Sequence, residues 1–283
     1  MIKRRHVEEA FFKFLMVVSL ILVAGSLGFI LLTVIIKGLP ALNWDMLTQT
    51  PKGGFYLGKE GGILNAIIGS LYLALGGTLI ALVFSLPLAL YLQAYARRTG
   101  WADIVRLALD VLWGIPSIVF GAFGFTLMLA LGLRASLLGG ILTLAFLELP
   151  IMTRAMDEVI RMMPHEMEQA AYAVGATRLE TAMKVVTRQM LPGILTAVLL
   201  AFGRGIGDAA SVLFTAGYTD RIPTSLMRPA ASLPLAVFFQ LGTPFPEVQK
   251  RAYASALILT VIVLAISLGS RWIAARLSRY TIR

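Results

Sequence analysis

The run GGILNAIIGSLYLALGGTLIALVFSLPLALYLQAYA, from Gly61 to Ala96, contains no Asp, Glu, Lys or Arg. An ionised side chain at the centre of a bilayer costs several kcal/mol, and a helix rising about 1.5 Å per residue needs about 20 apolar residues to cross one. This stretch therefore reads as a membrane-spanning helix. Charge-free runs also cover Phe14 to Ile36, Val111 to Leu133, Gln189 to Gly203 and Ala252 to Ser270, with a shorter one from Ala135 to Leu147 that stops at Glu148. Completing the last of these requires passing Glu148 and Pro150, and completing the run from Gln189 requires including Arg204 and Asp208. The pattern predicts an all-α polytopic membrane protein with six transmembrane helices, at about 12–36, 64–96, 104–132, 136–156, 190–217 and 252–277.

Composition agrees. The 283 residues are 58% hydrophobic and 14% charged, against about 45–50% and about 25% in soluble domains, and the mean hydropathy is +0.82. The net charge of +10 would suit nucleic acid if the basic residues shared a solvated face, but here they flank apolar runs, which argues against that partner. With no cysteine and only His6 and His165 as imidazoles, a disulfide framework, a thiolate or histidine metal site and a Ser-His site within the membrane are all disfavoured. No cofactor is implied. The first apolar run is too long for a secretory signal and no small-residue cleavage site follows it, so it reads as a permanent helix.

Placing both termini inside gives the inner loops twice as many Lys and Arg as the outer ones, which is the bias that orients helices in bacterial membranes. The inner set includes Lys3, Arg4, Arg5, Lys13, Arg97, Arg98, Arg154, Arg161, Arg178, Arg188, Arg279 and Arg283. Outside lie Lys37, Lys52, Lys59, Arg134, Arg221, Arg228, Lys250 and Arg251. Two outer loops, Lys37 to Gly62 and Tyr218 to Arg251, are long enough to receive a soluble partner; the second carries Pro223, Pro229, Pro234, Pro244 and Pro246. The chain divides into residues 1–60, a tail, first helix and outer loop, and residues 61–283, which hold five helices and an inner loop at 157–190.

Within that inner loop Ala170, Ala171 and Ala173 favour a helix and Gly175 suits the left-handed turn that ends one. The same loop begins His165-Glu166-Met167-Glu168-Gln169. A zinc-protease helix needs a second histidine where Gln169 stands, so that chemistry fails here. Elsewhere, Arg204 and Asp208 sit at i and i+4, one helix face, with Gly203 and Gly207 as a neighbouring stripe of small residues that lets another helix approach. An arginine inside a span faces protein or a watery cavity, and its planar fork of donors suits an oxyanion; the plainer reading is a structural ion pair with Asp208. Arg106 and Asp110, also i and i+4, are expected to pair with each other. Glu148, before Leu149-Pro150, is expected to be satisfied by a partner at a helix end, capping or gating being the alternative, and Pro87, Pro116 and Pro150 to bend their helices. Trp44, Trp101, Trp113 and Trp272 fall near the span ends, where interfacial belts form.

Gln169-Ala170-Ala171 followed by Gly175 upstream of Leu191-Pro192 resembles the EAA loop of ABC-importer permeases. In that family a short coupling helix docks on an ATP-binding subunit. The chain differs in having Gln169 for the usual Glu and Thr187-Arg188 for a Leu-Pro pair. Gly114 to Val119, Leu149 to Arg154, Gly175 to Arg178 and Leu213 to Ala216 together resemble phosphate-specific permeases of the PstA type, from about Gly61 to the C-terminus. That resemblance implies the type I importer permease fold and a translocation path for phosphate through Arg204 and Asp208, the latter in Gly-Asp-Ala-Ala-Ser where the family has a Gly-Glu-Thr-Ala-Pro-like segment. It also implies a second, PstC-like permease, two PstB-like ATP-binding subunits and a PstS-like extracytoplasmic phosphate-binding protein. No Gly-x-x-x-x-Gly-Lys-Ser/Thr loop is present, so the resemblance places ATP hydrolysis in other subunits. Competing readings are a permease for sulfate or molybdate, an uncoupled channel, or an intramembrane enzyme using Ser117, which no histidine in a span could activate.

Overall fold

Where charge is excluded for the longest stretches, the chain forms its longest helices. Helix α1 (Ile2–Gly38) runs through the first apolar stretch and ends at a 3-10 turn, Leu39–Ala41; short α2 (Trp44–Thr48) follows, its N-cap Asn43 accepting from the Met46 N–H. The computed structural model describes residues 2–52, 60–97 and 99–277, so Lys59, Arg98, Arg279 and Arg283 of the charge comparison lie outside the described residues. Among the described residues the single strand pairing is Pro51–Lys52 against Glu60–Gly61, and the fold is all-α as expected.

The remaining helices are α3 (Leu64–Ala94), α4 (Gly100–Gly114), α5 (Ser117–Ala130), α6 (Leu137–Arg161), α7 (His165–Ala173), α8 (Arg178–Glu180), a π turn at Thr181–Val186, α9 (Thr187–Gln189), α10 (Leu191–Ile206), α11 (Leu233–Leu241) and α12 (Pro246–Leu277). Four continuous helices are long and apolar enough to cross a membrane: Glu8–Ala41, Leu64–Ala94, Leu137–Arg161 and Pro246–Trp272. Six spans result when two bent pairs are each counted as one.

Those bends correct two expected spans. The helix anticipated at 104–132 is α4 and α5, meeting at 99°. Pro116 offers no N–H and holds Ile115 extended (φ −70°, ψ 133°), so the α4 ladder stops there. The helix anticipated at 190–217 ends at Ile206. Beyond Gly207 the Asp208 carboxylate accepts from the Ser211 N–H at 2.8 Å, a local bond that favours a turn over continued helix, and residues 210–216 form turns. At its other end α10 meets the Arg178–Gln189 segment at 76°.

The interior is built on α3 and α6, brought together by small residues. A Cβ on Gly77 of α3 would lie 2.9 Å from the Leu144 Cβ, and one on Gly69 would lie 1.9 Å from the Ala231 carbonyl oxygen. Helix α11 was not anticipated within the outer loop at 218–251. It folds back into the bundle with Leu233, Leu235 and Ala236 at 0% exposure, and its first N–H, at Leu233, is received by Ser70 Oγ of α3 at 2.8 Å. Helix α1 packs on α12 and leaves its apolar window 0% buried, a surface suited to lipid or another subunit.

At the end of the bundle nearest α7, Asp157 of α6 is 0% exposed and receives Gln93 Nε2 of α3 at 2.8 Å and Arg106 Nε of α4 at 2.9 Å. Arg154 and Arg161 of α6 each come within 3.4 Å of its Oδ2. The expected Arg106–Asp110 pair is therefore replaced: α4 lies against α6, and Asp110 takes Arg154 Nε at 2.6 Å instead. Removing one member of a buried pair costs about 3–5 kcal/mol because the other is left uncompensated. Asp157→Ala is expected to lower the thermal unfolding temperature of the detergent-solubilised protein sharply, whereas Asp103→Ala, at the exposed edge of the cluster, should change it little.

Candidate functional site

Arg204 lies in the last turn of α10 and Asp208 just past its end. The helix end brings them to 3.8 Å (Nη2 to Oδ1), an ion pair without a hydrogen bond, and the Arg204 side chain is 53% exposed while that of Asp208 is 5% exposed. Asp208 is committed to the Ser211 N–H, so the arginine keeps donors of its fork for another acceptor. Among the described residues, nothing outside its own helical turn comes within 4 Å of a Cβ built on Gly203, and one on Gly207 would meet only the carbonyl oxygens of Gly203 and Arg204. The small-residue stripe thus faces open space beside the guanidinium.

One residue further along α10, Gly205 meets Glu148. A Cβ there would overlap Glu148 Oε1, so any side chain at this position would force the buried carboxyl to move. Glu148 is 0% exposed, accepts from Thr78 Oγ1 of α3 at 2.7 Å through Oε2, and has no hydrogen-bond partner at Oε1. It caps no helix end. It sits where α3, α6 and α10 converge, directly behind the face that bears Arg204.

At the α7 end, Pro164 supplies the extended residue that opens α7, and Gly175 (φ +84°) closes it, with Gly175 N–H donating to Tyr172 O at 3.0 Å and Ala176 N–H to Ala171 O at 3.1 Å. A capping box follows, Thr177 with Glu180; the Thr177 backbone and hydroxyl, then Lys184, hold the Glu180 carboxyl below the usual carboxylate range. Ala171 packs inward, while Gln169, Ala170 and Gly175 face outward. Gln169 lines a cleft of about 710 Å³ with Gln93, Arg97, His165, Glu168, Tyr172 and Arg178. Arg97 faces the two His165 ring nitrogens at 2.8 and 3.2 Å and Glu168 at 3.8 Å, tying α7 to the chain after α3. Met162, Val174, Leu179 and Met183 stand exposed around it, an apolar surface on a polar loop. Among the described residues no group of His, Asp and Glu could hold a metal ion.

The model for the binding-protein-dependent transport system inner membrane component family matches residues 85–283. The chain belongs to that family. This permease is 34% identical over 255 residues to the phosphate transport system permease protein PstA of Haemophilus influenzae, covering 90% of this chain and 89% of the relative. It is 35% identical to the PstA of Xylella fastidiosa, covering 84% and 83%, and 33% identical to PstA 1 of Mycobacterium tuberculosis, covering 87% and 87%. A chain of the MetNI methionine ABC transporter in an inward-facing conformation superimposes with a TM-score of 0.62 at 17% identity, over 76% of the permease and 95% of that chain. A bacterial ABC transporter that imports alginate gives 0.52 at 15% identity, over 90% and 95%. These two share the fold: the permease is an all-α, multi-pass membrane subunit of an ABC importer.

Sequence reasoning missed the fit of Glu148 to Gly205 and the centring of the basic cluster on Asp157. The second left a signal, since Arg154, Asp157 and Arg161 lie at i−3 and i+4 on one helix face. The first left none beyond a carboxylate in an apolar run. Because a residue with a side chain pays about 1–2 kcal/mol in the left-handed region, Gly175→Val should loosen the α7–α8 turn. Amide hydrogen exchange across 165–180 is expected to speed up about tenfold, with exchange in α3 and α6 unchanged.

Proposed function

We propose that the permease carries inorganic phosphate inward across the cytoplasmic membrane by alternating access, with Arg204 as the oxyanion-binding group of its path. The observation that supports this most is the exposed guanidinium at the broken end of α10, within the bundle yet only loosely held by Asp208. A planar fork is matched to phosphate oxygens, and a mid-span arginine is retained at a cost of several kcal/mol unless protein or water receives it. The names of the PstA relatives point to the same substrate.

The open face at Gly203 and Gly207 is where a second, homologous permease would close the path, since one arginine-bearing helix supplies a single wall. On this reading both termini are cytoplasmic. The α7 loop, with Gln169, Ala170, Ala171 and Gly175, docks on one of two ATP-binding subunits, which hydrolyse ATP. An extracytoplasmic phosphate-binding protein delivers substrate to the opposite face. Nucleotide-driven closure then moves α7, and the stroke passes through Arg97 and the Asp157 cluster to the spans. Phosphate must bind the two states differently for this coupling to hold.

Arg204→Gln is expected to abolish phosphate uptake in cells while the amount of permease in the membrane stays unchanged; normal uptake would remove Arg204 from the path. The absence of cysteine permits a direct check of orientation. A cysteine at Val174 should react with a membrane-impermeant maleimide only in inverted vesicles, and one at Leu226 only in intact spheroplasts. The reverse pattern would invert the topology.

A further inference from the structure

A second cationic pocket lies at the opposite end of α6 from α7. It has a volume of about 290 Å³ and is lined by Thr219, Arg221, Ile222, Pro223, Arg228 and Pro229. Its place is fixed by α6: the Leu137 N–H donates to Arg228 O at 2.7 Å and the Leu138 N–H to Leu226 O at 2.8 Å, so the loop caps the first turn of that helix. Ala230 N–H donates to Ala216 O at 2.9 Å, and Asn65 Nδ2 of α3 donates to Thr219 O at 2.6 Å. With Pro223 and Pro229 restricting the backbone as well, the pocket is held before any ligand arrives.

Three features select the ligand. The hydrogen bonds that hold the loop engage five of its carbonyls, those of Ala216, Thr219, Ser225, Leu226 and Arg228, which accept from this chain's own donors. Thr219 Oγ1 accepts from the Arg221 N–H, which leaves its O–H to donate. Among the described residues neither the Arg221 nor the Arg228 guanidinium forms an ion pair, so both forks keep their donors, and with Asp220 beside them the local charge is still net positive. The two guanidiniums and the Thr219 hydroxyl offer donors and positive charge, and on the proposed topology they do so on the side where the orienting bias works against arginine. From here the chain leads back through 209–217 to Asp208 and Arg204.

We propose that this pocket is an antechamber for the transported oxyanion, which receives inorganic phosphate on the outer face before it passes to Arg204. The inference rests on the proposed function for its substrate, and its test separates the two. A cysteine at Thr224, next to Pro223 at the pocket rim, is introduced into the otherwise cysteine-free permease within the complete transporter. Inorganic phosphate, against chloride of equal ionic strength, is expected to slow its reaction with a maleimide, and Arg221→Gln with Arg228→Gln should abolish that protection.

In vesicles titrated with phosphate-loaded binding protein, the double substitution is expected to lower the maximal uptake about tenfold, the loss of roughly one charge-assisted hydrogen bond, at an unchanged half-saturating concentration of that protein. Absence of protection in the unaltered pocket would overturn the proposal. So would a rise in the half-saturating concentration with the maximum preserved, which would assign the arginines to docking an acidic protein surface. Protection by phosphate in a transporter that takes up no phosphate would uphold the pocket and overturn the substrate assigned under the proposed function.

Discussion

A single carboxylate, Asp157, holds together the end of the bundle nearest α7. It is fully buried, and an arginine of α4, two arginines of α6 and a glutamine of α3 converge on it. Burying a charge is unfavourable unless it is paired and hydrogen-bonded, so the cluster is stable only when all three helices are present in one arrangement. Removing α4 or α6 leaves charge in a low-dielectric interior, and removing α3 takes a hydrogen bond from the carboxylate. The lateral order of α3, α4 and α6 follows from that requirement, and Arg97, just past the end of α3, carries the constraint out to α7 through His165 and Glu168.

The permease thus has polar attachments at both ends of a largely apolar body. At the α7 end they are ion pairs that fix helix to helix. At the other end they are backbone bonds between a proline-rich loop and the start of α6, reinforced by Ser70 and Asn65 of α3. Between them the helices pack through leucine, isoleucine and methionine interleaved with glycine and alanine, and the buried carboxyl of Glu148 is set against Gly205. Arg204 stands next to this packed crossing but faces away from it. Rigid support behind an exposed arginine is the arrangement expected of a group that must meet an ion without rearranging.

Much of this was legible in the sequence because a bilayer penalises charge so strongly. Six apolar segments, the helix at 165–173, the left-handed Gly175 and the proximity of Arg204 and Asp208 all follow from charge exclusion, alanine content or helical spacing. What was not legible depends on partners distant in sequence. Pro116 announced a bend but not its 99° angle, because a proline interrupts the ladder without fixing the direction of the next helix. Asp208 was read as a helical residue because an i+4 spacing looks the same whether or not the helix continues; its bond to the Ser211 N–H decided otherwise. Arg106 and Asp110 suggested a pair within α4, and only the approach of α6 redirected both. Helix α11 is nine residues long, too short for its apolar content to distinguish it from a loop.

The contact between Gly205 and Glu148 has a consequence for how the molecule can move. Sliding α10 by one residue along α6 would shift it about 1.5 Å and turn it by about 100°, placing Arg204 or Ile206 where the missing side chain now admits the carboxyl. Either would force the buried Glu148 carboxyl to move. The contact therefore favours one register of α10 on α6, as a key favours one seat in its hub. Freedom is left to the joints on either side of the seated pair, at Ile115–Pro116 and at Met190–Leu191, where the helical ladder is already interrupted.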